Sequence, residues 1–363
     1  MRMLSTHRVA RFPSGVITAI LCLMPALCGA DDKQVSVQGS SVTDMFFLDQ
    51  KMGWLTVCQW DGCSLLRTDK SEKGWGFVGK LPSGVSKVVF VNEAEGWCLL
   101  EEPIGNEIQR RSMVVLRTED GGVNWERENA IQEYSKRSWN THEIAFADGR
   151  TGFFAAEGPV GKTLLLKTED SGKTFQPVEE KTKSVQGARG LYVTKSGTVW
   201  AVGNAAVAAS RDGGATWVSA KLPDGVSQYP GVTSLTSILV RENGAGFITG
   251  EETGQGGLLL SSNDPSGYWN LGLESKRTTR FTSVSFRDEK FGCAVGNSLF
   301  LTCTADSGQH WTEAQVLPRE EASDRAYFEK IVLLPEGTVR VLGNEGRLYK
   351  SSDNGRSWSR ESF

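Results

Sequence analysis

Apolar residues in this chain come in short runs, and the runs recur in one order. A glycine followed by an aromatic or apolar stretch appears as Gly53-Trp54-Leu55, Gly96-Trp97-Cys98, Gly152-Phe153-Phe154, Gly246-Phe247-Ile248 and Gly292-Cys293-Ala294. Val199-Trp200-Ala201-Val202-Gly203 and Val339-Arg340-Val341-Leu342-Gly343 fill the same slot. Before them lie alternating stretches, among them Val88-Val89-Phe90, Ile144-Ala145-Phe146, Ile238-Leu239-Val240, Val284-Ser285-Phe286 and Ile331-Val332-Leu333. After them comes a further apolar run such as Met113-Val114-Val115-Leu116 or Thr163-Leu164-Leu165-Leu166. Alternation with a period of two, broken by turn residues, predicts short β-strands rather than helices.

That last run leads into an eight-residue motif. A Ser or Thr opens it, Asp and Gly sit inside it, and an aromatic closes it. Clear copies occupy 118–125 (TEDGGVNW), 168–175 (TEDSGKTF), 210–217 (SRDGGATW), 304–311 (TADSGQHW) and 351–358 (SSDNGRSW). Decayed copies stand at 68–75 (TDKSEKGW) and 262–269 (SNDPSGYW). Successive starts lie 50, 50, 42, 52, 42 and 47 residues apart, a period that means a repeat architecture. In each clear copy the carboxylate (Asp120, Asp170, Asp212, Asp306, Asp353) is placed to accept turn N–H groups. The glycine (Gly122, Gly172, Gly214, Gly308, Gly355) supplies a positive φ, and the aromatic buries its face between strands. These aspartates therefore read as structural. Each unit reads as four strands, with a short last strand beginning at the aromatic. Such sheets bury both faces only when stacked in a ring, so the prediction is an all-β, seven-bladed β-propeller of four-stranded antiparallel blades. The blades are expected to begin near 41, 84, 140, 186, 234, 281 and 326. Segment 34–38 either adds an edge strand to the last blade or forms a frayed tail.

The start of the chain differs from the rest. Arg2, Arg8 and Arg11 precede a 12-residue apolar stretch at 16–27, and Cys28-Gly29-Ala30 forms a small-residue cleavage site before Asp31. Residues 1–30 are expected to be a cleaved signal peptide, the apolar part being too short to span a bilayer. Leu27 and Pro25 fit poorly before a lipidated Cys28, so the product is expected to be periplasmic or secreted and soluble. Removing 30 of 363 residues leaves 333 for one propeller domain over 31–363. The formal charge, −3 for the whole chain, becomes −6 once the three arginines are gone. An acidic chain without basic runs does not fit a nucleic-acid binder. Of the remaining cysteines, Cys58 and Cys63 bracket a turn, and Cys293 and Cys303 lie on two arms of a hairpin. Each pair is either a disulfide or two buried thiols. Cys98, beside Trp97, reads as a lone core thiol.

The motif resembles the Asp-box, or BNR, repeat of sialidases, other glycosidases and several non-enzymatic propellers. Combined with the Gly–aromatic–apolar and apolar–Thr strands, it looks most like the photosystem II stability/assembly factor family over roughly 41–361. The segments that carry this are 291–311, 199–217 and 341–358. The resemblance implies an exported, non-catalytic propeller that binds a protein, a subunit of a membrane-associated complex, and helps assemble or stabilise it. The alternative class is an Asp-box glycoside hydrolase, a sialidase-like enzyme or a carbohydrate-binding propeller.

A sialidase needs an arginine in its first blade, and the corresponding strand, 41–47, has none. Tyr327 stands beside Phe328 and reads as a core aromatic. His142 and His310 form no triad or zinc set, so no metal and no cofactor are expected. Glu101-Glu102 and Glu251-Glu252 follow second strands at the rim, either as a glycosidase pair or as solvated charges. Asp44, Lys87, Glu143, Ser237, Ser283 and Lys330 are the polar positions nearest the channel and mix signs. For a partner, two long loops on the face opposite the Asp-boxes stand out. Loop 101–112 ends in Arg110 and Arg111, and loop 126–140 carries Tyr134, Arg137 and Trp139; Tyr229 is a weaker candidate. Arg, Tyr and Trp are enriched where interfaces concentrate their binding energy.

Overall fold

The computed structural model describes residues 41–361 except positions 50, 69–73, 105–106, 129–130, 132–139, 158–162, 179–186, 227–231, 315–325 and 345. Seven antiparallel sheets follow one another along the chain, each made of four consecutive strands in simple up-and-down order. Their innermost strands are Ser41–Phe47, Val85–Phe90, Asn140–Phe146, Gly190–Val193, Thr233–Val240, Phe281–Phe286 and Phe328–Leu333. These seven strands head blades one to seven of a β-propeller. Among the described residues the one helical turn is the 3-10 segment Pro335–Gly337.

The core is divided. Seven apolar clusters fill the seven seams, one between each pair of neighbouring blades. Second strands are sandwiched from both sides, so Val199–Gly203 and Gly292–Gly296 are buried along their whole length. That double burial is why these runs read as continuously apolar rather than alternating. The outermost strands Val218–Ser219 and Ser359–Arg360 face solvent.

The glycine–aromatic pattern has a stereochemical cause. In four blades the innermost strand ends in a phenylalanine opposite that glycine, as in Phe90↔Gly96 and Phe146↔Gly152. A Cβ on Gly96 would stand 2.5 Å from the Phe90 ring, so glycine alone leaves room for it. The ring then receives the aromatic of the preceding blade. Trp54 stacks on Phe90 at 3.8 Å, Trp97 on Phe146 at 3.6 Å and Phe247 on Phe286 at 4.3 Å. Blade seven carries Arg340 in this slot. Its guanidinium lies 5.3 Å from the Trp75 ring and 5.9 Å from the Phe47 ring, so a cation closes the ring where three other seams use stacked rings.

Closure is otherwise direct. Val42 N–H donates to Gly346 O at 3.4 Å and Lys330 Nζ lies 3.0 Å from Asp44. Blade seven takes all four strands from the C-terminal segment, ending with Ser359–Arg360; segment 34–38 lies outside the described residues.

Two expectations are corrected. In the five clear copies the outermost strand starts one residue after the aromatic, at Glu126, Gln176, Val218, Thr312 and Ser359. The aromatic belongs to the turn, and Trp125 shows why: its indole N–H donates to Gly122 O at 3.0 Å. Segment 101–112, read as a loop, continues the hairpin. Gly96–Ile104 pairs with Glu107–Thr118 through Glu101↔Met113, Glu102↔Ser112 and Pro103↔Arg111. Extending a ladder already begun satisfies further backbone groups at no cost in loop closure.

Candidate functional site

The aspartate turns share one bonding scheme. In blade two the Thr118 hydroxyl donates to Asp120 at 2.9 Å and accepts the Gly122 N–H at 2.9 Å. Asp120 also accepts the Asn124 N–H at 2.9 Å and its side-chain amide at 2.7 Å. Asp170, Asp212, Asp306 and Asp353 are engaged in the same way. Two successive residues are left-handed in each turn: Ser171 (φ 68°) precedes Gly172 (φ 87°), and Asn354 (φ 61°) precedes Gly355 (φ 82°).

Hydrogen bonding holds these carboxyls below the ordinary range. Asp212 is brought to about 2, first by the Thr216 hydroxyl, then by the Thr216 N–H and the Ser210 hydroxyl. A lowered folded-state pKa stabilises the native state above the unfolded value, and that stabilisation is lost as pH falls through the folded one. Carboxyl-detected NMR titration is expected to place the Asp212 midpoint near 2, against its ordinary 3.8. A midpoint of 3.8 or higher would show the turn bonds absent in solution.

Six polar side chains on the inner strands line up around the channel. A β-bulge immediately precedes Asp44, Lys87, Ser237, Ser283 and Lys330, turning them into equivalent positions. Their mixed signs pair across seams: Lys330 with Asp44 at 3.0 Å, Lys87 with Glu143 at 3.3 Å. Asp44 also accepts the Val88 N–H at 2.9 Å, and Ser283 accepts the Ile331 N–H at 3.3 Å. Burial alone would raise the Asp44 pKa, but Lys330, Lys87 and the Val88 N–H together hold it low. Among the described residues, no three His, Cys, Asp or Glu side chains converge to hold a metal.

The other catalytic candidates are likewise engaged. Both Glu102 carboxylate oxygens accept from Arg127, at 2.6 and 2.7 Å. Glu251 accepts from Arg280 at 2.5 Å. Tyr327, read from the sequence as a core aromatic, is only half-buried, and burial together with Glu329 pushes its phenol pKa up.

On the opposite face, Arg110 and Arg111 lie on the strand Glu107–Thr118. Tyr134, Arg137, Trp139 and Tyr229 lie outside the described residues. Cys58 and Cys63 stand opposite each other and are disulfide-bonded, as are Cys293 and Cys303; Cys98 is a buried free thiol, its pKa raised by burial. The Cys58–Cys63 bridge clamps the turn that carries Trp60, whose side chain is 93% exposed. This turn joins second and third strands, as does the hairpin turn of blade two, so the two share one face. In the sequence Trp60 reads only as turn filler between Cys58 and Cys63.

The aspartate-turn face carries an open groove of about 960 Å³ across blades four, five and six. Tyr192, Trp200, Val240, Arg241, Pro265 and Phe286 are among its walls. Trp200 is 3% exposed, and its indole N–H has no acceptor among the described residues. Its counterparts do have one. Trp54 donates to Gly121 O at 3.3 Å and Trp97 to Ser171 O at 2.8 Å, each the fourth residue of the next blade's turn.

In blade five that fourth residue is Pro265, whose ring forbids a left-handed φ. The turn folds differently, with Gly267 N–H bonded to Asp264 O at 2.9 Å. Pro265 O then accepts the indole of its own blade's Trp269, at 2.9 Å. The carbonyl at this position serves Trp269 and not Trp200. In the sequence the signal for this is the decayed copy at 262–269, with proline at its fourth position.

No protein family model matches the chain. Two curated relatives match part of it. The photosystem II assembly lipoprotein Ycf48 of Synechococcus sp. (strain CC9902) is 28% identical over 119 residues, 31% of this chain and 32% of that protein. The chloroplastic photosystem II stability/assembly factor HCF136 of Arabidopsis thaliana is 28% identical over 138 residues, 36% of this chain and 31% of that protein. The matches thus span about a third of each relative's length.

Among solved structures, YCF48 bound to D1 peptide superposes with a TM-score of 0.58 at 21% identity, covering 87% of this chain and 94% of that one. The GH74 xyloglucanase of Xanthomonas campestris gives 0.63 at 13%, covering 88% and 54%. At these identities both structural likenesses are likenesses of fold. The chain is a seven-bladed propeller similar to the photosystem II assembly factors.

Proposed function

We propose that the protein is an exported, non-catalytic propeller that binds a protein subunit and helps assemble or stabilise a membrane-associated complex. The observation that carries this is the sequence match to two photosystem II assembly factors. Both D1-peptide binding by YCF48 and the engagement of the catalytic candidates in structural bonds are consistent with it. Residues 1–30 act as the export signal in this reading. The partner meets the face of the second-to-third-strand turns, where Trp60 sits on a disulfide-clamped tip and the Arg110–Arg111 strand lies on the neighbouring blade.

Crosslinking in the native envelope, followed by identification of the captured protein, tests the role. One membrane-complex subunit is expected with the wild type. It should be lost from Trp60→Ser and from Arg110→Glu/Arg111→Glu/Trp139→Ala at unchanged thermal stability. Hydrolysis of glycosides by the purified protein, abolished by Tyr327→Phe or Glu251→Gln, would replace this reading with the enzyme class.

A further inference from the structure

We infer that Glu329 and Tyr327, at one mouth of the central channel, receive a primary ammonium group, the side-chain end of a lysine on the protein partner. The charges of the channel do not balance. Three inner-strand acids, Asp44, Glu143 and Glu329, share it with two lysines, Lys87 and Lys330. Both lysines are committed, Lys330 to Asp44 at 3.0 Å and Lys87 to Glu143 at 3.3 Å. Glu329, the bulge residue before Lys330, is the odd acid, and its hydrogen-bond partner is the Tyr327 hydroxyl. With the two pairs neutral, Glu329 leaves the network one negative charge in excess.

A carboxylate drawn partly out of water without a cation is costly. Burial pushes the Glu329 carboxyl above the ordinary range, and the Asp44 charge adds to this; Lys87, the Tyr327 hydroxyl and Lys330 offset it only in part. Glu329 is half-buried and not sealed, so a cation from outside can supply what the fold does not. The approach is short. Asn344, in the second-to-third-strand turn of blade seven, bonds the Tyr327 backbone at 3.0 Å in both directions. Glu329 thus lies two strand residues, roughly 7 Å, inside the face that also carries Trp60.

The geometry selects among cations. A guanidinium pairs best when both carboxylate oxygens are free, and Tyr327 already holds one side of this carboxyl. A metal ion needs more ligands, and among the described residues no three acids converge. An ammonium is a compact charge on a long flexible stem. It can donate to Glu329 and to the lone pairs that the Tyr327 hydroxyl keeps. That a partner supplies the group rests on the proposed docking face; the site itself does not.

The test uses the purified full chain, 13C-labelled at its glutamate side-chain carboxyls, with Nα-acetyl-lysine methylamide as the probe. The Glu329 signal is assigned by its absence in Glu329→Gln. Adding the probe should shift that signal and lower its titration midpoint. Binding should fade as pH drops through the midpoint, because a protonated carboxyl has no charge to offer. Glu329→Gln, which keeps the side chain's shape, should weaken binding about tenfold. Tyr327→Phe should weaken it less, and both variants should keep their thermal stability.

The inference is overturned if the probe leaves the Glu329 signal in place, or binds Glu329→Gln as tightly as wild type. Equal shifts from potassium chloride, or from the norleucine analogue that lacks the ammonium, overturn it as well. Envelope crosslinking is read separately. Its failure alongside probe binding at Glu329 removes the assembly role and leaves the ammonium site standing; the reverse outcome removes only the ammonium site.

Discussion

Trp97→Ala is expected to lower stability by about 3–5 kcal/mol, the usual cost of emptying a large aromatic site in a core. Trp97 is fully buried in the seam between blades two and three, stacked on Phe146 with an interplanar angle of 8°. Its indole also donates to Ser171 O at 2.8 Å, tying it to the aspartate turn of blade three. Deletion therefore removes the stack, a hydrogen bond and the packing beneath Gly172 at once. Trp97→Phe keeps the ring contact and should cost clearly less. Guanidinium unfolding followed by circular dichroism measures both. A loss under about 1 kcal/mol for the alanine variant, well below the range for such a deletion, would show that the seam is not packed as described.

The second large effect is expected at the closing seam. Arg340 is 7% exposed, and its Nε and an η nitrogen donate to the two Glu361 oxygens at 2.7 and 2.8 Å. Arg340→Ala leaves a largely buried carboxylate unpaired, a change that typically costs about 3–5 kcal/mol. It also withdraws the cation from the Phe47 and Trp75 rings. Removing both charges is a different experiment. Arg340→Met/Glu361→Leu fills similar volume with apolar groups and should recover most of the loss. If the double variant is no more stable than the single one, the cost lies in packing and not in the stranded charge.

These two seams separate what is local from what is not. The Trp97 slot was legible because its glycine, its aromatic and the aspartate turn recur at a fixed spacing. Arg340 occupies the same slot, yet in the sequence it is only a polar interruption of an apolar run. Its partners, Phe47 and Trp75, lie at the far end of the chain, and only ring closure brings them to it. The catalytic candidates divide in the same way. Glu102 and Glu251 were visible as paired acids, but their arginines, Arg127 and Arg280, stand 25 and 29 residues further on.

The number of blades, their order and the bonding of the aspartate turns are legible along the chain, because each depends on residues within one hairpin. A Thr, an Asp and a Gly spaced two residues apart close their hydrogen bonds wherever the hairpin forms. What sits beside each blade is settled by the closed ring and not by the chain around it. Trp54, Trp97 and Trp200 look alike along the chain, and each depends on a turn some 65 to 75 residues away in the next blade. For two of them that turn presents a carbonyl. For Trp200 the corresponding carbonyl, that of Pro265, is bonded to Trp269 instead, which no stretch of sequence around Trp200 announces. A propeller's local code repeats, but its seams join blades whose sequences vary independently, and the departures from the repeat become visible as a site only once the ring is closed.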